Sequence, residues 1–177
     1  ARRQRQMCIR DRNNRLYPVV VVLFVTLCTI LFMCSRLPSK ESGILLNLLS
    51  GGNGQTFVVL IILFIILLIG AIIVYQLLAA LLNWTAEKLD LKNVDMRSLM
   101  VINYEILGLS ILFNMLFNVF EHKIFATLLN PIIIIGIIFS FLLMKNNKLK
   151  LNHVLHTLVQ YVCLVVMNAA ITLWIFS

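Results

Sequence analysis

Residues 56–82 read TFVVLIILFIILLIGAIIVYQLLAALL, 27 residues without one charged side chain. The hydrocarbon core of a bilayer is ~30 Å thick and needs about 20 apolar residues in helical form. At ~1.5 Å per residue this stretch makes a helix about 40 Å long, so it must tilt in the bilayer or protrude from it. Its last part, through Tyr75, Gln76 and Asn83, is expected to enter the interface.

Four more stretches meet the same length criterion. Residues 16–35 carry no charge. They exceed the h-region of a cleaved signal peptide, and no small-residue cleavage site follows, so the segment is expected to be retained. Residues 98–120 follow Asp95 and Ser98, either of which can cap a helix. Residues 124–144 contain Asn130-Pro131 near their start, where a kink is expected. Residues 153–176 follow Asn152, a candidate cap, and place Trp174 near the far interface. The expectation is an all-α polytopic membrane protein, a bundle of five transmembrane helices spanning 16–35, 56–82, 98–120, 124–144 and 153–176. These form one membrane domain, 16–177, behind a basic tail, 1–15. The connections are short. Residues 36–55 suggest an interfacial helical turn stopped by Gly51, Gly52 and Gly54. There is no internal repeat, and no loop is large enough to host an extramembrane active site.

Composition agrees. The chain is 61% hydrophobic and 12% charged, against about 45–50% and about 25% in soluble domains. That excludes an ordinary soluble domain and, for most of the chain, disorder. The net charge of +8 does not indicate a nucleic-acid partner, because six of the 15 Lys and Arg lie in the first 15 residues. Residues 1–12 resemble a translated sequencing adaptor. As native sequence they read as a basic segment attracted to anionic headgroups. The four cysteines form no CxxC and no disulfide framework.

Lys and Arg in the connections set the orientation. The tail carries 6, residues 36–55 carry 2, residues 83–97 carry 3, residues 121–123 carry 1 and residues 145–152 carry 3. An N-in, C-out arrangement places twelve inside and three outside. Without residues 1–12 the balance is seven to three and keeps its sign.

The candidate functional residues are polar groups inside the spans: Glu105, Asn103, Asn114, Asn118, His156 and Gln160. Glu105 is the only acid within a span. An acid at mid-helix costs about 2.5–3.5 kcal/mol on insertion scales. It reads either as a proton or cation site, or as a group bonded to a neighbour or reaching the inner interface. Asn103, Ser110, Asn114 and Asn118 fall within about 80° of one another on a helical wheel, with Glu105 opposite. A span polar on two faces is expected at the centre of the bundle. His153, His156, Gln160, Cys163 and Met167 share one face of the last span. His-x-x-His can ligate a metal, but two strong ligands also suit a mildly polar packing face, and no metal or other cofactor is expected. No GxSxG, HExxH or phosphate loop occurs, so no enzyme activity is expected. Asn83-Trp84-Thr85 matches a glycosylation sequon but falls on the expected inner side.

From Tyr75 to Asn118 the chain has an apolar span ending in Gln76-Leu77-Leu78-Ala79-Ala80-Leu81-Leu82, a short charged loop, then Ser98 to Tyr104 and a polar-dotted span. With five spans and minimal loops, this resembles the Yip family of five-span membrane proteins. Family members act with Rab GTPases in Golgi and vesicle membranes, and bacteria hold Yip-like relatives. Where the family usually has Gly in the loop, this chain has Asp90-Leu91-Lys92-Asn93-Val94. Gly108 stands near the position of the family's Pro.

The resemblance implies a non-enzymatic protein that organises or interacts within the membrane. Its partners would be the lipid bilayer and other membrane proteins or a second copy of itself. The alternative is a small transporter or channel subunit using Glu105 and the polar stripes. The Ile-, Asn- and Lys-rich composition suggests an AT-rich bacterial genome and so a bacterial cytoplasmic membrane, with a Golgi or ER membrane as the other location.

Overall fold

The computed structural model describes residues 2–36, 54–91, 94–116, 128–144 and 151–176. These form five helices: α1 (Arg2–Arg36), α2 (Gly54–Lys88), α3 (Met96–Leu116), α4 (Pro131–Met144) and α5 (Leu151–Phe176). Among the described residues there is no strand. Four helices contain segments long and apolar enough to cross a bilayer: 16–35, 61–88, 96–116 and 151–172.

In the fourth expected span, 124–144, the described helix starts at Pro131. That helix has 14 residues, about 21 Å, short of a ~30 Å crossing. Pro131 begins it rather than kinking it. Proline suits the first helical position, where no N–H is needed. Asn130 supplies the cap: its Oδ1 accepts the Ile132 N–H at 3.0 Å, and its carbonyl accepts the Ile134 N–H at 3.1 Å. Residues 124–127 lie outside the described residues.

Helices α1 and α2 extend beyond the charge-free stretches. The basic segment is helical, because α1 starts at Arg2 and runs on into the apolar stretch. Helix α2 continues six residues past Leu82 to Lys88. It closes with a Schellman pattern, Leu91 N–H to Ala86 carbonyl and Asp90 N–H to Glu87 carbonyl. The left-handed residue of that pattern is Asp90, with φ of 54°, where glycine is usual. Asp95 caps α3: Oδ1 accepts the Ser98 N–H at 3.4 Å, and Oδ2 accepts the Ser98 hydroxyl at 2.6 Å. The hydroxyl bond holds the Asp95 carboxyl below the usual carboxylate range. Asn152 lies inside α5 and caps a different helix, donating to the Leu89 carbonyl at the end of α2 at 2.9 Å.

Helices α3 and α5 occupy the centre, each in contact with the other four helices, and the largest contact is between α3 and α1. Close approach needs small residues. A Cβ on Gly108 would sit 2.8 Å from a Phe24 ring carbon, and one on Gly136 would sit 2.5 Å from Cγ1 of Ile106. Around these crossings pack Phe32, Leu82, Tyr104, Leu107, Ile111, Ile133 and Leu164. Tyr104 packs edge-on against Tyr75, centroids 5.3 Å apart, and donates its hydroxyl to the Ala71 carbonyl at 2.8 Å. These contacts half-bury Tyr75, while Gln76 and Asn83 stay exposed.

Candidate functional site: two buried polar clusters

A four-residue repeat runs down one side of α5. His156, Gln160, Leu164 and Asn168 are fully buried, and Thr172 nearly so. A four-residue step advances 400°, so such a stripe drifts slowly and can follow one neighbouring helix. The face read from sequence turned one residue away at its far end, because Cys163 and Met167 are only half-buried. Two polar clusters form where the stripe meets α3 and α4.

The first cluster joins four helices. His156 Nε2 lies 3.1 Å from the Leu82 carbonyl of α2. A carbonyl only accepts, so Nε2 carries the proton and Nδ1 is the acceptor. Gln160 Nε2 donates to that Nδ1 at 2.8 Å. Gln160 Oε1 accepts from Asn103 Nδ2 of α3 at 3.0 Å and from the Ser140 hydroxyl of α4 at 2.7 Å. Asn103 Nδ2 also donates to the Leu99 carbonyl at 2.8 Å. One chain of donors runs from α3 and α4 through Gln160 and His156 to α2, with side branches from Asn103 to Leu99 and from Gln160 Nε2 to Met144 Sδ of α4 at 3.5 Å. Such chains polarise cooperatively in a low-dielectric interior.

The second cluster lies two turns further along. Asn168 Oδ1 accepts from Asn114 Nδ2 at 3.2 Å and from the Ser110 hydroxyl at 3.3 Å. Asn130 Nδ2 donates to Asn114 Oδ1 at 3.0 Å and to the Ser110 carbonyl at 3.4 Å. Asn130 therefore caps α4 with its oxygen and ties α4 to α3 with its nitrogen. Between the clusters sit Leu107 of α3 and Leu164 of α5, both fully buried.

Glu105 belongs to neither cluster. It faces α1, and its Oε1 accepts the Tyr17 hydroxyl at 2.6 Å. Tyr17 is 53% exposed and is the second residue of the charge-free stretch 16–35. Glu105 thus lies level with the edge of that stretch, not its middle. Asn118 lies outside the described residues.

The chemistry available in the clusters is neutral: amides, hydroxyls and an imidazole with both nitrogens engaged. Ser140 meets an amide oxygen, which cannot serve as its base. Among the described residues no three His, Cys, Asp or Glu side chains gather as metal ligands. Three members escaped the sequence reading. Ser140 and Asn130 had no periodic signal in an all-apolar segment. Asn168 did have one, since it continues the four-residue step from His156 through Gln160.

No family model, curated protein or solved structure matches this chain. The class the fold defines is an all-helical protein whose apolar helices are compatible with a multi-pass membrane protein.

Proposed function

We propose that this chain is a non-enzymatic multi-pass membrane protein of Yip-like type, N-in and C-out, in a bacterial cytoplasmic membrane. It organises or interacts within the bilayer, with other membrane proteins or with a second copy of itself. The observation carrying this reading is how the intramembrane polar groups are used. Those of the two clusters bond to one another across helices, and Leu107 and Leu164 fill the space between. Unpaired amides in hydrocarbon cost several kcal/mol, so such pairing serves assembly. The outer faces of the helices are left for contacts.

The alternative is a small transporter or channel subunit. It is favoured by one atom, Asn103 Oδ1, a buried acceptor without a hydrogen-bond partner among the described residues. Purified protein in proteoliposomes separates the two. The proposal expects monovalent-cation and proton flux equal to that of empty vesicles. A flux removed by Asn114→Leu or Glu105→Gln in folded protein would establish the alternative. Orientation has its own measurement: a reporter fused after Ser177 should be active only outside the cytoplasm, and one at Asn93 only inside. The opposite pair defeats the N-in arrangement.

A further inference from the structure

We propose that the groove between the start of the α1 apolar stretch and the start of α3 binds the headgroup of an aminophospholipid, with Arg97 on the phosphate and Asp95 on the ammonium. The groove encloses about 420 Å³; Tyr17 and Pro18 form one wall, and Asp95, Arg97, Ser98 and Val101 form the other. Its depth indicates a lipid rather than a free solute. Tyr17 and Pro18 are the second and third residues of one charge-free stretch, and Asp95–Ser98 immediately precede the apolar part of α3. Both levels are where hydrocarbon gives way to headgroups, provided the helices span as assigned. Val101 and Ile102 complete the lining and offer apolar surface to an acyl chain. The Tyr17–Glu105 bond holds the tyrosine ring across the groove.

Charge selects the headgroup. Arg97 is exposed, and its charge acts on the nearby Asp95 carboxylate, so the two present opposite charges to the groove. Its planar guanidinium suits a phosphate. Asp95 is exposed as well, and its cap bonds to Ser98 leave acceptor capacity on the carboxylate. An anionic headgroup without an amine would satisfy Arg97 but meet repulsion from Asp95. A choline headgroup carries the charge but has no N–H to donate. An ethanolamine headgroup meets both requirements.

The test is native mass spectrometry of the full chain in detergent, titrated with phosphatidylethanolamine, phosphatidylcholine or phosphatidylglycerol of matched chains. The ethanolamine lipid should be retained about tenfold more tightly than either of the others, the scale of one charge-assisted hydrogen bond. Asp95→Asn keeps an equally good helix cap and should erase the preference over phosphatidylcholine. Arg97→Gln should weaken all three lipids. Glycerophosphoethanolamine, the same headgroup without chains, should not compete at equal concentration. Equal retention of the three lipids, preference for phosphatidylglycerol, competition by the chain-free headgroup, or an unchanged preference in the folded Asp95→Asn protein would each overturn the assignment.

Discussion

The first half of α2 and the whole of α3 invert the rule that holds in water. In the most apolar stretch of α2, 6% of residues are buried, and Ile61 through Ile66 are exposed on every side. In α3, whose apolar stretch is the least apolar of the four, 56% of that stretch is buried. In water the apolar helix would seek the interior. Lipid tails are as apolar as leucine, so they exert no such sorting, and the helix that needs protein neighbours is the one with polar groups to satisfy. Asn103, Ser110 and Asn114 draw α3 inward, while α2 meets the core partly at Leu68, Ala71, Val74 and Tyr75 and is buried more fully from Leu78 onward, at Leu78, Ala79, Leu82 and Ala86.

Glycine gives the sharpest way to break this contrast. A Cβ on Gly70 would meet nothing within 4 Å, whereas one on Gly136 would meet the stiff, β-branched Ile106. Gly136→Leu should destabilise by about 2–3 kcal/mol through overpacking. Gly70→Leu should be neutral or stabilise by up to about 1 kcal/mol through helix propensity. Unfolding in mixed micelles measures both. Equal effects would mean that the crossing of α3 and α4 is not as close as described.

Glutamine offers a second, smaller comparison. Gln160 bonds to four other side chains, those of Asn103, Ser140, His156 and Met144, whereas Gln76 is exposed. Intramembrane hydrogen bonds average ~0.6 kcal/mol, with a maximum near 1.7. Gln160→Leu should therefore cost about 1–2 kcal/mol. Asn114→Leu, which removes the bonds to Asn168 and from Asn130, should cost about 1 kcal/mol and leave the protein folded. Gln76→Leu should stay within about 0.5 kcal/mol of zero. A neutral Gln160→Leu would remove the basis for calling the cluster a brace.

The smallest effect lies at the start of α3. Asp95→Ala removes the cap and should cost about 1 kcal/mol at neutral pH. The Asp95 carboxyl is held below its ordinary range when folded, so the unfolded chain takes up the proton first. Its contribution is complete above the ordinary value of about 4. It is lost as pH falls through the lower, folded value. The penalty of Asp95→Ala should fade correspondingly in acid, and a pH-independent penalty would point to lost packing instead.

The long charge-free stretches and the Lys and Arg between them made the helical class legible before any coordinates. The cap of α3 was legible as Asp95 or Ser98, and the structure makes Asp95 the acceptor and Ser98 the residue that donates to it. Asn130-Pro131 carried two readings, kink or start. The choice depended on whether a buried partner existed for the Asn130 amide, and that partner, Asn114, lies 16 residues earlier on another helix. Asn152 shows the same limit: its side chain found the Leu89 carbonyl of α2, a partner that local sequence does not name. Glu105 was placed in depth by Tyr17, 88 residues away.

By itself, then, the sequence determined which segments are helical and apolar enough for a bilayer, because hydropathy and helix length are properties of contiguous residues. It also determined that polar stripes exist, because a four-residue step is visible along one chain. Tertiary structure alone decided which stripe meets which: Gln160 with Asn103 and Ser140, Asn168 with Asn114 and Ser110. It also decided which helix stands at the centre. Uniformly apolar faces are interchangeable against lipid, so order among the helices rests on a few directional hydrogen bonds and on the glycines that let backbones approach.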